Sequence, residues 1–216
     1  MKINEIFRSI SSESKFAGAP AIFIRTFGCN LLCSFCDSLY AVQGADYKEM
    51  SIDDIMKEIG QYDCKRIIFT GGEPLIQQDS TDLISALLEN DYFVEIETNG
   101  AVDLEPYIDR FGDNENLLYT MDWKCPSSDM NSKMLANNLE LLGSSDVVKC
   151  VVGSQEDLNE MQRVVKETEA QVFVSPVFGK IDPKDIVQYM LDNNLNTVRC
   201  QLQLHKYIWP VDMRGV

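Results

Sequence analysis

One histidine, His205, serves the whole 216-residue chain. Most zinc hydrolase sites, and every mechanism that needs two imidazoles, are excluded by that scarcity. Basic residues are also in short supply. Against 34 Asp and Glu stand 19 Lys and Arg, giving a formal charge of −15. A surface of that sign repels phosphate backbones and anionic lipid, so neither sequence-independent nucleic-acid binding nor a membrane-surface role is expected. No apolar run approaches the ~20 residues that cross a bilayer. The opening MKINEIFRSISSESK lacks the apolar core of a secretory signal. The expectation is a cytoplasmic protein. No low-complexity tract or short repeat occurs, and apolar residues (45%) and charged residues (25%) stand at ordinary globular levels. The length fits a single domain, 1–216, at ~100–200 residues per domain. Seven cysteines are present. In a reducing compartment they are thiols, thiolates or metal ligands rather than disulfides.

Short β-branched runs recur along the chain at 21–27, 66–72, 93–100, 117–124, 146–153, 171–176 and 197–205. Amphipathic stretches of helical period separate most of them. SIDDIMKEIGQY (51–62) opens on a Ser cap with acids in the first turn and Ile52, Ile55, Met56 and Ile59 on one face. Stretches 80–90, 154–170 and 182–194 read alike, the last with Asp182 as cap and Pro183 at the first helical position. Alternating strands and helices imply parallel strands with crossover helices. The length falls short of a closed eightfold barrel of ~250 residues. The expected fold is an incomplete, open β/α barrel with six to seven parallel strands. Reacting groups in such folds sit at the carboxyl ends of strands. The unusual residues follow that rule: the cysteine cluster, Gly71-Gly72-Glu73-Pro74, Glu97-Thr98-Asn99-Gly100, Lys124, Ser175-Pro176 and His205 all end such runs.

Cys29, Cys33 and Cys36 are spaced Cys-x-x-x-Cys-x-x-Cys in GCNLLCSFCDS, directly after the first of these runs. Three thiolates this close suit a soft metal centre, although buried cysteines also pack as small apolar residues. A structural zinc site needs four ligands, and no histidine is near. An iron–sulfur cube held by three cysteines leaves one iron for a small molecule. Gly71-Gly72 at a strand end lets backbone approach a ligand, or simply turns. Glu73 after it can accept from an ammonium group. Thr70 faces away from its strand neighbours, toward the place where a substrate would lie. Asn99-Gly100 is a turn by itself; as function, Glu97 and Asn99 hold an adenosine. Arg25 lies in a mostly apolar strand, AIFIRTF, where a buried charge needs a partner. Glu13 is one partner; the carboxylate of a substrate is another.

The cysteine spacing resembles the signature of the radical S-adenosylmethionine superfamily. The opening INEIFRSISSES…GAPAIFIRTFGCNLLCSFCDSLYA, with TGGEP, ETNG, the Lys124 loop with Pro-Ser-Ser and the ending QLHKYIW…RGV, is similar to the 7-carboxy-7-deazaguanine synthase family. That resemblance implies a 4Fe–4S cluster on Cys29, Cys33 and Cys36, with S-adenosylmethionine completing the shell of the fourth iron. It implies S-adenosylmethionine contacts from Phe35, Cys36, Asp37, Gly72, Glu73, Glu97, Asn99, Lys124 and Ser175. It further implies Mg²⁺ on the hydroxyl of Ser38, an oxygen that suits a hard cation. The substrate is then 6-carboxy-5,6,7,8-tetrahydropterin. The resemblance implies that Ile10, Ser11, Ser12, Glu13, Arg25, Thr70 and His205 bind it, with backbone contacts from Ile10 to Ser12. The product is 7-carboxy-7-deazaguanine, ammonia is released, and the pathway leads to queuosine and 7-deazapurines. A flavodoxin- or ferredoxin-type electron donor and a homodimer belong to the same implication. Where the family has Gln-Gly-Glu-Gly, this chain has Ser11-Ser12-Glu13-Ser14, and Asp122-Trp123 replaces a Ser-Pro. Cys64, Cys125, Cys150 and Cys200 share no short spacing and read as structural thiols. Two rivals stay open: a glycyl-radical enzyme activase, and a non-catalytic zinc or iron–sulfur binding module.

Overall fold

A computed structural model describes residues 1–112 and 114–216. Its strands are β1 (Lys2–Ile10), β2 (Pro20–Thr26), β3 (Lys48–Glu49), β4 (Arg66–Gly71), β5 (Phe93–Thr98), β6 (Leu117–Trp123), β7 (Val147–Val152), β8 (Gln171–Pro176) and β9 (Arg199–Cys200). They form one sheet in the order β3-β1-β2-β4-β5-β6-β7-β8-β9. From β2 to β9 the seven strands are parallel. The sheet does not close, as an incomplete barrel requires.

The helices α1 (Ile52–Ile59), α2 (Ser80–Glu89), α3 (Glu105–Phe111), α4 (Asn137–Leu141), α5 (Gln155–Val164) and α6 (Pro183–Asp192) mostly cross between consecutive strands, and α7 (His205–Ile208) is a single turn. Their starts are written locally. Ser51 caps α1 in a reciprocal box with Asp54, Ser154 accepts from Asp157 N–H, and Asp182 accepts from Lys184 N–H just before Pro183. Ile55, Ile59, Leu83, Leu87, Leu158 and Met161 then meet Ile22, Ile24, Ile67, Phe69, Val94 and Ile96 from the strands in one core.

The other face of each strand carries a second pattern, because successive side chains alternate. Inward positions begin apolar and turn polar toward the carboxyl end. β2 runs Phe23 then Arg25, β4 Ile68 then Thr70, β6 Leu118 then Thr120 and Asp122, and β7 Val147 then Lys149. Leu118, Val147 and Phe173 pack with Phe16 and Phe93 to plug the lower end. The upper end is polar. The fold therefore sets a dry floor beneath a polar bowl.

Several elements differ from the sequence expectation. β1 is an antiparallel strand between β3 and β2, with Glu5 opposite Arg25 and Phe7 stacked on Phe23 at 4.7 Å. The run 197–205 contributes only β9; beyond it Gln203 turns to Glu13 and Leu204 N–H donates to Ser12. His205 thus opens a helical turn rather than ending a strand. Between β5 and β6 the sequence also hides α3.

Candidate active site

At the polar end lies a cavity of ≈ 440 Å³. Its wall includes Cys29, Cys33, Phe35, Cys36, Asp37 and Ser38 from the loop after β2, and Gly71 and Gly72 from the end of β4. The same cavity is lined by Ser12, Glu13, Arg25, Thr70, Glu97, Lys124, Lys149 and His205. Residues from motifs scattered through the chain are thereby brought to one place.

The cysteine loop is fastened to several strand ends. Ser34 Oγ donates to Ser127 O at 2.7 Å, and Asn30 Nδ2 donates to Ala101 O at 3.0 Å. Glu73 N–H donates to Gly28 O at 2.9 Å. A Cβ on Gly72 would lie 2.3 Å from Gly28 O, and one on Gly71, at φ +153°, 2.2 Å from Thr26 Oγ1. Only glycine lets these backbones touch.

The three thiols are free and all line the cavity. Among the described residues no group of three or more His, Cys, Asp or Glu is drawn together tightly enough for one metal ion. A lone zinc needs its sulfurs about 2.3 Å from one centre, whereas each cysteine of a cubane binds a different iron. Cys29 Sγ receives Leu31 N–H at 3.4 Å and Asn99 Nδ2 at 3.5 Å, the kind of donors that tune iron–sulfur centres. Burial pushes all three thiols up, Cys33 to about 11, and the Lys124 ammonium works against that rise. A soft cationic centre is what would hold them as thiolates.

The cavity also holds a network of charges. Lys149 Nζ lies 3.0 Å from Glu13 Oε2 and 3.5 Å from Asp122 Oδ2, and Lys124 Nζ lies 3.0 Å from the same Asp122 oxygen. Burial would lower Lys149, but Glu13, Asp122 and Glu97 outweigh it and hold the amine well above its usual range. Ser175 Oγ and Gln203 Nε2 also donate to Glu13, at 3.1 and 3.3 Å. Arg25 Nε donates to Glu5 Oε1 at 2.8 Å, and Tyr40 donates to the same oxygen. The protein partner of Arg25 is thus Glu5 across the β1–β2 ladder, and Glu13 belongs to Lys149.

Several expected residues take other places. Ser175 is fully buried and committed to Glu13, one level below the cavity wall. Glu73 is also buried; its carboxylate accepts from Leu75 N–H, Thr98 Oγ1 and Asn99 N–H, which ties the strand ends together. Ile10 and Ser11 do not line the cavity. Ser11 N–H and C=O are used by Ala19 and Gly18, and its hydroxyl by Glu13 O. Glu97 and Asn99 part company: Asn99 reaches Asn30 and Cys29, while Glu97 stands in register with Thr120. Ser12 Oγ meets His205 Nδ1 at 2.9 Å. Ser38 Oγ donates to Asp37 Oδ1 at 3.1 Å, and Asp37 Oδ2 holds Lys206 at 3.1 Å. Ser14 stands at φ +67°, which explains the glycine of the resembling pattern. Its N–H to Gln201 and its hydroxyl to Thr120 hold it there.

Lys149, Asp122, Gln203 and Glu5 were not singled out from sequence. Lys149 had a signal, a lone charge inside DVVKCVV, of the kind that exposed Arg25. Residues 211–216 also line the cavity, with the Arg214 guanidinium 3.9 Å from the Tyr40 ring centre.

A model of the Radical SAM superfamily matches residues 23–142. A 7-carboxy-7-deazaguanine synthase of Clostridium acetobutylicum is 39% identical over 221 residues, covering 100% of this chain and 99% of the relative. Another, from Methanospirillum hungatei, is 41% identical over 211 residues, with 96% of this chain and 85% of the relative covered. The crystal structure of QueE from Escherichia coli superposes with a TM-score of 0.76 at 22% identity, covering 94% of this chain and 93% of that one.

Proposed function

The chain belongs to the Radical SAM superfamily and, within it, to the 7-carboxy-7-deazaguanine synthases, and on that premise we propose that it converts 6-carboxy-5,6,7,8-tetrahydropterin to 7-carboxy-7-deazaguanine with release of ammonia, on the way to queuosine and 7-deazapurines. One observation carries the reading. A single cavity is lined by three cluster-spaced cysteines together with Arg25, Glu13 and Lys149. Its ≈ 440 Å³ suits a small molecule better than the protein loop an activase must admit.

Cys29, Cys33 and Cys36 would hold a 4Fe–4S cluster, with Gly71-Gly72, Phe35, Asn99 and Lys124 on the S-adenosylmethionine side. When bound, this pair supplies the one-electron bond cleavage that starts hydrogen-atom abstraction. The chain's own groups orient and enclose. Arg25 keeps further guanidinium donors beyond the one used on Glu5, and a planar fork grips a carboxylate bidentately. Thr70, Glu97 and Thr120 offer acceptors along the middle of the bowl, so Glu97 serves the substrate rather than the adenosine. Ser12 orients His205 through Nδ1, leaving the other ring nitrogen toward Asp37, 3.8 Å away. Residues 211–216 complete the lining of the cavity.

Mg²⁺ is the finer part of the proposal. Ser38 and Asp37 supply two hard oxygens on the cavity wall, and the remaining ligands would be water and the substrate carboxylate. The protein works in the cytoplasm as a homodimer, reduced by a flavodoxin- or ferredoxin-type donor. Among the described residues no helix is long and apolar enough to cross a membrane. The test is anaerobic incubation of iron-reconstituted protein with S-adenosylmethionine, reductant and the carboxylated pterin, followed by mass. The deazaguanine product supports the synthase. Cleavage of S-adenosylmethionine with the pterin untouched turns the reading toward an activase, and a colourless zinc-loaded protein toward a binding module.

A further inference from the structure

Lys149 has more hydrogen-bonding capacity than its protein partners use. An ammonium has three N–H donors. Glu13 Oε2 takes one at 3.0 Å and Asp122 Oδ2 draws another at 3.5 Å. Among the described residues no acceptor meets the third, and Lys149 lines the cavity with a side chain only 9% exposed. Its neighbour Glu13 is nearly full. A carboxylate has about four acceptor positions, and Lys149, Gln203 and Ser175 occupy three. The pair therefore presents one acceptor and one donor side by side.

A guanidine-like edge, with two N–H groups in parallel, needs two free acceptors. A lactam edge, N–H beside C=O, needs one acceptor and one donor. We propose that the Glu13–Lys149 ion pair reads the lactam edge of the pterin, Glu13 accepting from N3–H and Lys149 donating to the C4 oxygen. The inference rests on the pterin reading above and makes Lys149 a specificity determinant for 4-oxo over 4-amino pteridines. In a 4-amino ring the oxygen is replaced by an amine and N3 loses its hydrogen. Donor then faces donor at Lys149, and lone pair faces lone pair at Glu13. Unpaired polar groups of this kind separate ligands strongly.

Calorimetric titration of the full chain with 6-carboxypterin and with 2,4-diaminopteridine-6-carboxylate tests it without turnover. The wild type is expected to favour the 4-oxo compound by roughly 10- to 100-fold, the span of one charge-assisted hydrogen bond. Lys149→Met should lose that preference by weakening the 4-oxo compound alone, and Lys149→Arg should keep part of it. A folded Lys149→Met variant that retains the preference overturns the proposal and leaves the pterin reading standing. Equal affinity of the wild type for both compounds overturns it without any variant. Binding of neither removes the pterin reading and this inference together.

Discussion

Gly72→Ala adds one methyl group where two loops meet. The new Cβ would lie 2.3 Å from Gly28 O, 2.7 Å from Gly28 C and 3.0 Å from Cys29 Cβ. Gly72 has no left-handed φ, so the whole cost is contact. Non-bonded carbons rest at about 3.5–4 Å, so the Gly-Gly segment and the cysteine loop must part by roughly 1 Å. Backbone lies on both sides, and no flexible side chain can swing away. Overpacking of this kind costs about 1–3 kcal/mol, which lowers Tm by roughly 2–12 °C in a chain of this size. The three cysteines remain, so iron content after reconstitution should stay near wild type. S-adenosylmethionine should bind at least tenfold more weakly in equilibrium dialysis. Turnover should fall by about 100-fold, the scale of a 1 Å misplacement. A variant that melts, binds S-adenosylmethionine and turns over like wild type would refute the packing argument.

Arg25→Gln removes the guanidinium but leaves Glu5 half-solvated, so it should lower kcat/KM for the carboxylated pterin by 10- to 150-fold (~1.5–3 kcal/mol) with S-adenosylmethionine affinity unchanged; wild-type efficiency would place the carboxylate elsewhere. Glu95 is fully buried, and desolvation, aided by Glu97, raises its carboxyl from 4.5 to about 7. Between those values the native state keeps a proton that the unfolded chain has shed, so stability falls as pH rises through the window, by roughly 3 kcal/mol. Glu95→Gln should escape that loss, and its melting advantage over wild type should grow from pH 4.5 to 8; a gap independent of pH contradicts the assignment. Ala at Cys29, Cys33 or Cys36 should abolish iron loading, whereas Ser at Cys64 or Cys200 should spare it, as iron analysis of the reconstituted variants will show.

Much of the molecule was written locally. The caps at Ser51, Ser154 and Asp182, the parallel strands and the cysteine loop each follow from neighbouring residues. The polar turn of the inward series was also readable once strand phase was known: Thr70 and Arg25 stand where alternation put them. What escaped the sequence was pairing at a distance. Glu13 and Lys149 are 136 positions apart and meet only because the sheet curls. Arg25 found Glu5 because β1 joined the sheet antiparallel, and nothing near Arg25 announced that strand. Glu73 and Ser175 have the residue types of ligand contacts. Their burial, and the hydrogen bonds that hold them there, are what motif spacing does not encode. The run QLQLH alternates like a strand, but Gln203 gains more from the buried Glu13 than from an edge ladder.

Anaerobic turnover with S-adenosylmethionine limiting and the carboxylated tetrahydropterin in excess tests the central claim most directly. If the cavity holds the cluster, S-adenosylmethionine and pterin together and the radical chemistry returns its hydrogen, 7-carboxy-7-deazaguanine should exceed the S-adenosylmethionine supplied several-fold, with one ammonia per product. A preparation with a full complement of cluster that forms 5′-deoxyadenosine but no deazaguanine would contradict the account.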